Sequence, residues 1–221
     1  MKNIVTTILL LLSQIIFAQI TKNVGDFEKV TSFDKIEISL VPSSENKVVL
    51  NGNGSEDVEL VNKNGELKIR MPFDKILAGE RISVTVFYKK LVAVEANEGS
   101  RITSEKSIKS IGFDIIAKEG ATIYLILESN RLTSKISSGA IVDIGGKVKN
   151  HDCLVNSGAV LNAQKLQTEQ TIVTVNAGGE VEIMASEYVN AKVRAGGSIL
   201  IFGKPKQIDQ KTVLGGTIRQ D

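Results

Sequence analysis

From Ala96 onward, apolar and polar residues alternate with a period of two, and the alternation restarts about every nineteen residues. Short motifs of small residues mark each restart: ANEGSRI, AKEGATI, SSGAIV, NSGAVL, NAGGEV, RAGGSI and LGGTI. Their anchor glycines are Gly99, Gly120, Gly139, Gly158, Gly178, Gly196 and Gly215, at steps of 21, 19, 19, 20, 18 and 19 residues. One position after each anchor stands a small residue: Ser100, Ala121, Ala140, Ala159, Gly179, Gly197 and Gly216. Three positions after it stands an aliphatic one: Ile102, Ile123, Val142, Leu161, Val181, Ile199 and Ile218. The even offsets are mainly polar.

Alternation with period two is strand geometry, because successive side chains point to opposite faces. No segment carries the 3.6-residue period of an amphipathic helix. A period of two nested in a period of nineteen predicts an all-β chain coiled as a β-solenoid with turns of about 19–20 residues, each adding a strand ~4.8 Å from its neighbour. Odd offsets then fill a narrow interior and even offsets meet water. Val142 and Leu161 are expected in one buried column, with Asp143 and Asn162 outside. The anchor glycines are expected where a corner needs φ > 0 or walls approach closely. Asn97, Asn156 and Asn176 share a column but not every turn, which predicts only a partial asparagine ladder. Coincidental hairpin turns in a β-sandwich would also recur near nineteen residues. The two seven-fold columns decide for the solenoid.

Residues 19–95 lack the anchor yet remain β-rich. Ile36, Ile38 and Leu40 alternate, as do Ile82, Val84, Val86 and Tyr88, and Asn62-Lys63-Asn64-Gly65 is a hairpin signal. This portion is expected to be either irregular first turns of the coil or a cap covering its end, continuous with 96–221 as one domain. Residues 1–18 read as a secretory signal peptide: Lys2, an apolar run from Ile4 to Leu12, and Ala18 as a small residue before cleavage. Ser13 and Gln14 interrupt the run well short of the ~20 apolar residues a membrane span needs, so no span is expected after its removal. Export places the protein in the periplasm, on the outer-membrane surface or outside the cell.

Composition changes this picture in two ways. With 42% hydrophobic residues, 24% charged residues and a net charge of +2, the chain is not a disordered one, and it has no field to draw in nucleic acid. The single cysteine, Cys153, cannot form a disulfide within the chain and is expected buried.

The opening Val30-Thr31-Ser32-Phe33-Asp34-Lys35-Ile36-Glu37-Ile38 resembles the start of a bacterial envelope family, the putative auto-transporter adhesin, head GIN domain. The ending, Gly196-Gly197-Ser198-Ile199, Gly203-Lys204-Pro205-Lys206 and Gly215-Gly216-Thr217-Ile218, is similar to it too. The likeness covers roughly residues 24–221. It implies a right-handed parallel β-helix of Bacteroidota-type bacteria, a domain of unknown function with adhesion proposed. The tripeptide Gly-Ile-Asn is absent, and no stalk, coiled coil or membrane barrel accompanies the repeat, so an autotransporter acting alone is not expected.

Catalysis finds little support. Asp143 and Glu182 share an outward column two turns apart, with Asn162 between them, ~10 Å between Cα atoms at the usual strand spacing. His151, Asp152 and Cys153 are adjacent, so Cys153 and Asp152 point to opposite faces, and a turn entering a strand accounts for them. One His and one Cys do not make a metal site. No catalytic, cofactor-binding or metal-binding residues are therefore assigned, and no cofactor. Tyr124 faces outward but stands apart from Phe202 and Tyr188. The expected function is an exported, non-catalytic envelope or surface protein, an adhesin or structural module for an unknown protein or glycan ligand. A carbohydrate-binding or carbohydrate-active β-helix is the alternative. Ile116, Ile141, Leu154, Val160, Leu200 and Val213 break the polar alternation on successive turns; aligned, they would form an apolar stripe and a homo-oligomer interface.

Overall fold

The computed structural model describes residues 20–221, so the leader expected at 1–18 lies outside the described residues. Each anchor glycine stands at a corner, preceded by a second residue of positive φ: Glu98–Gly99, Glu119–Gly120, Ser138–Gly139, Ser157–Gly158, Ala177–Gly178, Ala195–Gly196 and Leu214–Gly215. Around the anchors from Gly99 to Gly178 a hydrogen bond closes over three residues, as from Ser100 N–H to Asn97 O at 3.0 Å and from Ala121 N–H to Lys118 O at 3.1 Å. Two left-handed residues closed in this way have the pattern of a type I′ turn. At Gly139 and Gly158 the glycine is there for its backbone alone, since an added Cβ would meet nothing within 4 Å. Corners also bond to corners, Gly120 N–H to Ser138 O at 3.0 Å and Gly139 N–H to Ser157 O at 3.1 Å.

Between corners run long strands that follow the chain in order: β10 (Ile108–Ala117), β11 (Thr122–Ile136), β12 (Ile141–Asn156), β13 (Val160–Asn176) and β14 (Glu180–Arg194). The shorter β15 (Ser198–Phe202), β16 (Gln207–Val213) and β17 (Thr217–Gln220) complete the coil. All these pairings are parallel. The expected β-solenoid is therefore the fold, and the expected interior is the core: Val142 and Leu161 are Cα partners and fully buried.

An odd number of residues per turn cannot close on strict alternation. In β12 the buried residues are Val142, Ile144 and Val148, then His151, Cys153 and Val155. The phase changes at Lys149 and Asn150, which both face out. The 20-residue step through β13 must make an even number of such changes and makes two, at Gln164–Lys165 and Glu169–Gln170. Bulges follow, with register shifts between Asp143 and Gly145 and between Ala163 and Gln167.

The N-terminal portion stacks rungs in an order that crosses the order of the chain. Strands β2 (Lys29–Ser32) and β3 (Glu37–Pro42) form one rung, β6 (Glu66–Arg70) and β7 (Ile82–Tyr88) another, and β8 (Ala93–Ala96) with β9 (Arg101–Thr103) a third. In space β2 lies between β6 and β8, and β3 between β7 and β9, all parallel. The rung formed by residues 29–42 is thus inserted between two later ones. Its corner repeats the others without glycine: Asp34 and Lys35 have φ of 60° and 62°, and Ile36 N–H donates to Phe33 O at 3.2 Å. β4 (Lys47–Gly52) then covers β7 antiparallel, β1 (Ile20–Asn23) covers β4, and β5 (Glu59–Lys63) pairs antiparallel with β6.

Candidate functional site

Alternation after each corner places the fourth residue beyond the glycine on the outer face. In β11 to β14 these residues are Tyr124, Asp143, Asn162 and Glu182, successive Cα partners in one column. Asn162 Nδ2–H donates to Asp143 Oδ1 at 2.9 Å. The Arg101 guanidinium stands over the Tyr124 ring, 5.2 Å from its centroid, within the range of a cation–π contact. Two positions further on, Ile126 is exposed while its partner Gly145 carries no side chain. The missing side chain and the bulge beside it open a trough of about 670 Å³, lined by Tyr124, Ile126, Asp143, Asn162, Lys165 and Glu182 among others. A second recess of about 300 Å³ shares Asn162 and Glu182 with it and reaches Leu200 and Arg219.

This face offers planar hydrogen-bonding groups beside one aromatic ring and one aliphatic side chain. It can hold polar ligands, sugar hydroxyls included. Asp143 and Glu182 do share a column, and Asn162 separates them and bonds to the first. The other large recess, about 680 Å³, lies near the mid-strand bends, between Lys147, Gln167, Glu169, Met184, Glu187 and Lys204.

His151 and Cys153 lie inside the coil in mid-strand, which corrects the expected turn entering a strand: β12 continues from Ile141 to Asn156. Both are buried, while Asp152 between them is exposed. His151 Nε2 pairs with Ser134 Oγ at 2.9 Å, and its Nδ1 has no partner. Burial pushes the imidazole down to about 4. It also drives the Cys153 thiol far above its ordinary range, with the Asp152 charge adding to the rise. A neutral imidazole and a protonated thiol in a closed core attack nothing. Among the described residues no three His, Cys, Asp or Glu side chains group as metal ligands.

The six outward apolar residues do not line up as one stripe. Lys135 stands between Ile116 and Leu154, and Leu200 stands between Glu182 and Arg219. Only Ile141 and Val160 are neighbours in a column. These residues sit at different offsets from the anchor, so successive turns put them in different columns. The asparagine ladder is partial as expected, with Asn176 Nδ2–H donating to Asn156 Oδ1 at 2.7 Å.

Sequence reasoning missed two polar devices at the N-terminal end. Lys29 pairs with Glu66 at 2.9 Å and with Glu95 at 2.7 Å, and Lys118 pairs with Glu95 at 3.1 Å, stitching β6, β2, β8 and the residue after β10. Buried Asp34 accepts Met71 N–H at 2.9 Å and Leu77 N–H at 2.8 Å. A legible signal for the second was available. Asp34-Lys35 precedes Ile36, Ile38 and Leu40 at the offsets where a corner precedes its aliphatic column.

Residues 26–205 match the family model described as "Putative auto-transporter adhesin, head GIN domain". Among solved structures, a putative adhesin from Bacteroides fragilis is similar over 92% of this chain and 96% of its own, with a TM-score of 0.84 at 17% identity. A putative adhesin from Parabacteroides distasonis covers the same shares at a TM-score of 0.75 and 18% identity. A putative lipid binding protein, also from Parabacteroides distasonis, gives a TM-score of 0.69 at 14% identity over 92% of this chain and 96% of its own. At such identities the likeness is one of fold. No curated protein matches the chain.

Proposed function

The chain belongs to the putative auto-transporter adhesin, head GIN domain family, and from that premise we propose that it is an exported, non-catalytic envelope or surface protein acting as an adhesion or structural module. The reading takes residues 1–18 as a cleaved signal peptide, the rest as a single domain, and the coil as right-handed, the hand that parallel crossover connections nearly always take. Its ligand is held on the outer face of β11 to β14, in the trough beside Tyr124. One observation carries this. The coil sets polar side chains in a regular column around an opening, while its only imidazole and only thiol are sealed in the core. A face of that kind binds without reacting.

The experiment is an export and binding assay. The full chain, expressed in its envelope context, should yield mature protein beginning near Gln19, and that protein should bind to a panel of matrix proteins and glycans. Tyr124→Ala and Asn162→Ala should weaken that binding without changing the melting temperature. An unprocessed cytosolic product, or turnover of any polysaccharide, would overturn the reading. Tyr124 beside the Asp143–Asn162 pair also favours a second reading, a carbohydrate ligand, because sugars present both a ring face and paired hydroxyls. Binding confined to the glycans of the panel would select it.

A further inference from the structure

The recess at the mid-strand bends has a cause in the repeat itself. The step from Gly158 to Gly178 is 20 residues and the next, to Gly196, is 18, so β14 has two residues fewer than β13 to go round the coil. The ladder between them absorbs the difference at the bend. Ala163 pairs with Ile183 and Gln167 with Met184, which leaves Gln164, Lys165 and Leu166 without partners in β14. Thr168 pairs with Ala185 and Gln170 with Tyr188, so Glu169 lies opposite both Ser186 and Glu187. Beyond this bulge, on the side away from Tyr124, the shorter rung leaves an opening of about 680 Å³. Its floor is fixed. Thr168 is buried and donates from Oγ1 to Met184 O at 2.7 Å, and a Cβ on Gly203 would lie 2.6 Å from Ala185 O.

The charges around the opening do not balance. Lys206 is paired with Glu187 at 2.7 Å, and Glu128, the Cα partner of Lys147, is paired with Lys109 at 2.9 Å. Lys147 and Lys204 on the lining, and Lys149 two residues on from the first, are exposed and join no ion pair among the described residues. Against them stands one unpaired carboxylate, Glu169. Such a surface complements an anion. Lys147, Gln167, Met184 and Phe202 are successive Cα partners, so Lys204, two residues past Phe202, stands three rungs from Lys147, ~14 Å at the usual strand spacing. A small anion reaches one of these lysines; a polymer running along the coil reaches both.

We propose that the recess binds a polyuronate, an acidic polysaccharide with one carboxylate per sugar. Its carboxylates lie on Lys147, Lys149 and Lys204, and its hydroxyls on Gln167, Glu169 and Ser186. The two glutamates of the recess select that occupant. Glu169 and Glu187 accept hydrogen bonds from sugar hydroxyls. They repel a polymer of denser charge, such as duplex DNA or a heavily sulfated glycan. The recess is separate from the trough beside Tyr124, and its ligand does not depend on what the trough holds.

Calorimetric titration of the purified protein tests this with polygalacturonate, its fully methyl-esterified form, monomeric galacturonate, heparin and duplex DNA. Polygalacturonate should bind, with an affinity that falls as added salt screens the exposed charges. The esterified polymer and the monomer should each bind at least about tenfold more weakly, the first for lack of charge and the second for lack of length. Lys147→Gln combined with Lys204→Gln should cut the affinity for polygalacturonate about tenfold, the scale of two exposed charge pairs, at an unchanged melting temperature. Lys63→Gln, an exposed lysine of β5, should leave it unchanged, and so should Tyr124→Ala in the trough. Absence of polygalacturonate binding, equal binding of the esterified polymer, or an affinity untouched by the double substitution would overturn the proposal. So would tighter binding of heparin or DNA, which would make the recess a general polyanion surface.

Discussion

The coil from Gly99 onward and the N-terminal end use the same corner and hold it in different ways. In the coil each rung stacks on the next one made, so one glycine rule repeated at steps of 18 to 21 residues specifies register for every strand. At the N-terminal end, β2–β3 lies between rungs made 24 or more residues later. No period can encode that order. Specific polar contacts do so instead: the Lys68, Glu66, Lys29, Glu95 and Lys118 chain across the rungs, and the Asp34 clamp. Repetition sets a stack of neighbours; individual partners set a crossing.

The largest test attacks the repeated part. Val142→Asp puts an unpaired charge into a column where Val142 and Leu161 are fully buried, at a cost of about 4 kcal/mol. Because turns contact only their neighbours, hydrogen exchange should accelerate first in β11 to β13 and least in β2, β3 and β7. Asp143→Val on the outer face should change stability by about 0.5 kcal/mol. If the two mutants exchanged places in a denaturant titration, the strands would face the other way.

Acid should separate the two regions by pH window. His151 titrates at about 4 in the fold against 6.5 when exposed, so its neutral form contributes stability that is complete above pH 6.5 and is lost as pH falls toward 4. A gap of that size amounts to about 3 kcal/mol. At the N-terminal end, burial raises the Glu95 carboxyl, but the hydrogen bonds and charges of Lys29 and Lys118 outweigh it and hold it below the usual 4.5. Glu66 is held low in the same way by Thr31, Lys29 and Lys68 against burial. Their contribution is present above pH 4.5 and falls away only below it. Exchange protection in the coil should therefore decline from pH 6.5, ahead of that in β2, β6 and β8. In His151→Leu the earlier decline should vanish. A single common window for both regions would break the comparison.

Glycines in the coil divide into those needed for conformation and those needed for space. A Cβ on Gly197 would lie 2.5 Å from Gly179 O and 2.7 Å from Val175 Cγ1, at a φ of 110°. Gly197→Ala should cost about 3 kcal/mol, through overpacking added to backbone strain. Gly139→Ala, with open space around it, should cost only about 1 kcal/mol. Thermal melts of the two would show whether the small-residue column tightens toward the C-terminal rungs, where Ala140 and Ala159 give way to Gly179, Gly197 and Gly216.

The coil was legible because its determinants are local and repeated: a corner glycine, a small residue after it, an aliphatic residue two further on. The phase changes at Lys149–Asn150, Gln164–Lys165 and Glu169–Gln170 were not read, although the odd length of the β12 turn requires the first. The crossing of β2–β3 between later rungs was illegible, since strand order there depends on which distant strand accepts which side. The trough was half legible. Alternation placed Tyr124, Asp143, Asn162 and Glu182 outside, but the opening depends on Gly145 meeting a bulge in the neighbouring rung. The loop between β6 and β7 shows no period, and the Asp34 clamp on it joins residues 37 and 43 positions apart.

The smallest predicted effect asks whether the two regions really share one corner. Lys35 occupies the position of the anchor glycines, with a φ of 62° against 69° at Gly99, and Lys35 N–H donates to Glu98 O at 3.0 Å as the amides of Gly99, Gly120, Gly139, Gly158 and Gly178 donate to their neighbouring corners. A left-handed lysine costs about 1–2 kcal/mol relative to glycine. Glycine in turn loses about 0.5–1 kcal/mol through the greater freedom of its unfolded chain. Lys35→Gly should therefore stabilise the protein by about 0.5 kcal/mol, read as a small rise in the denaturant midpoint at unchanged slope. The Lys35 side chain is exposed, so its removal opens no cavity in the core. A loss of more than about 1 kcal/mol would mean that the side chain, rather than the turn, holds this rung in place. The N-terminal corner would then be a different structure that only shares the φ angles of the coil.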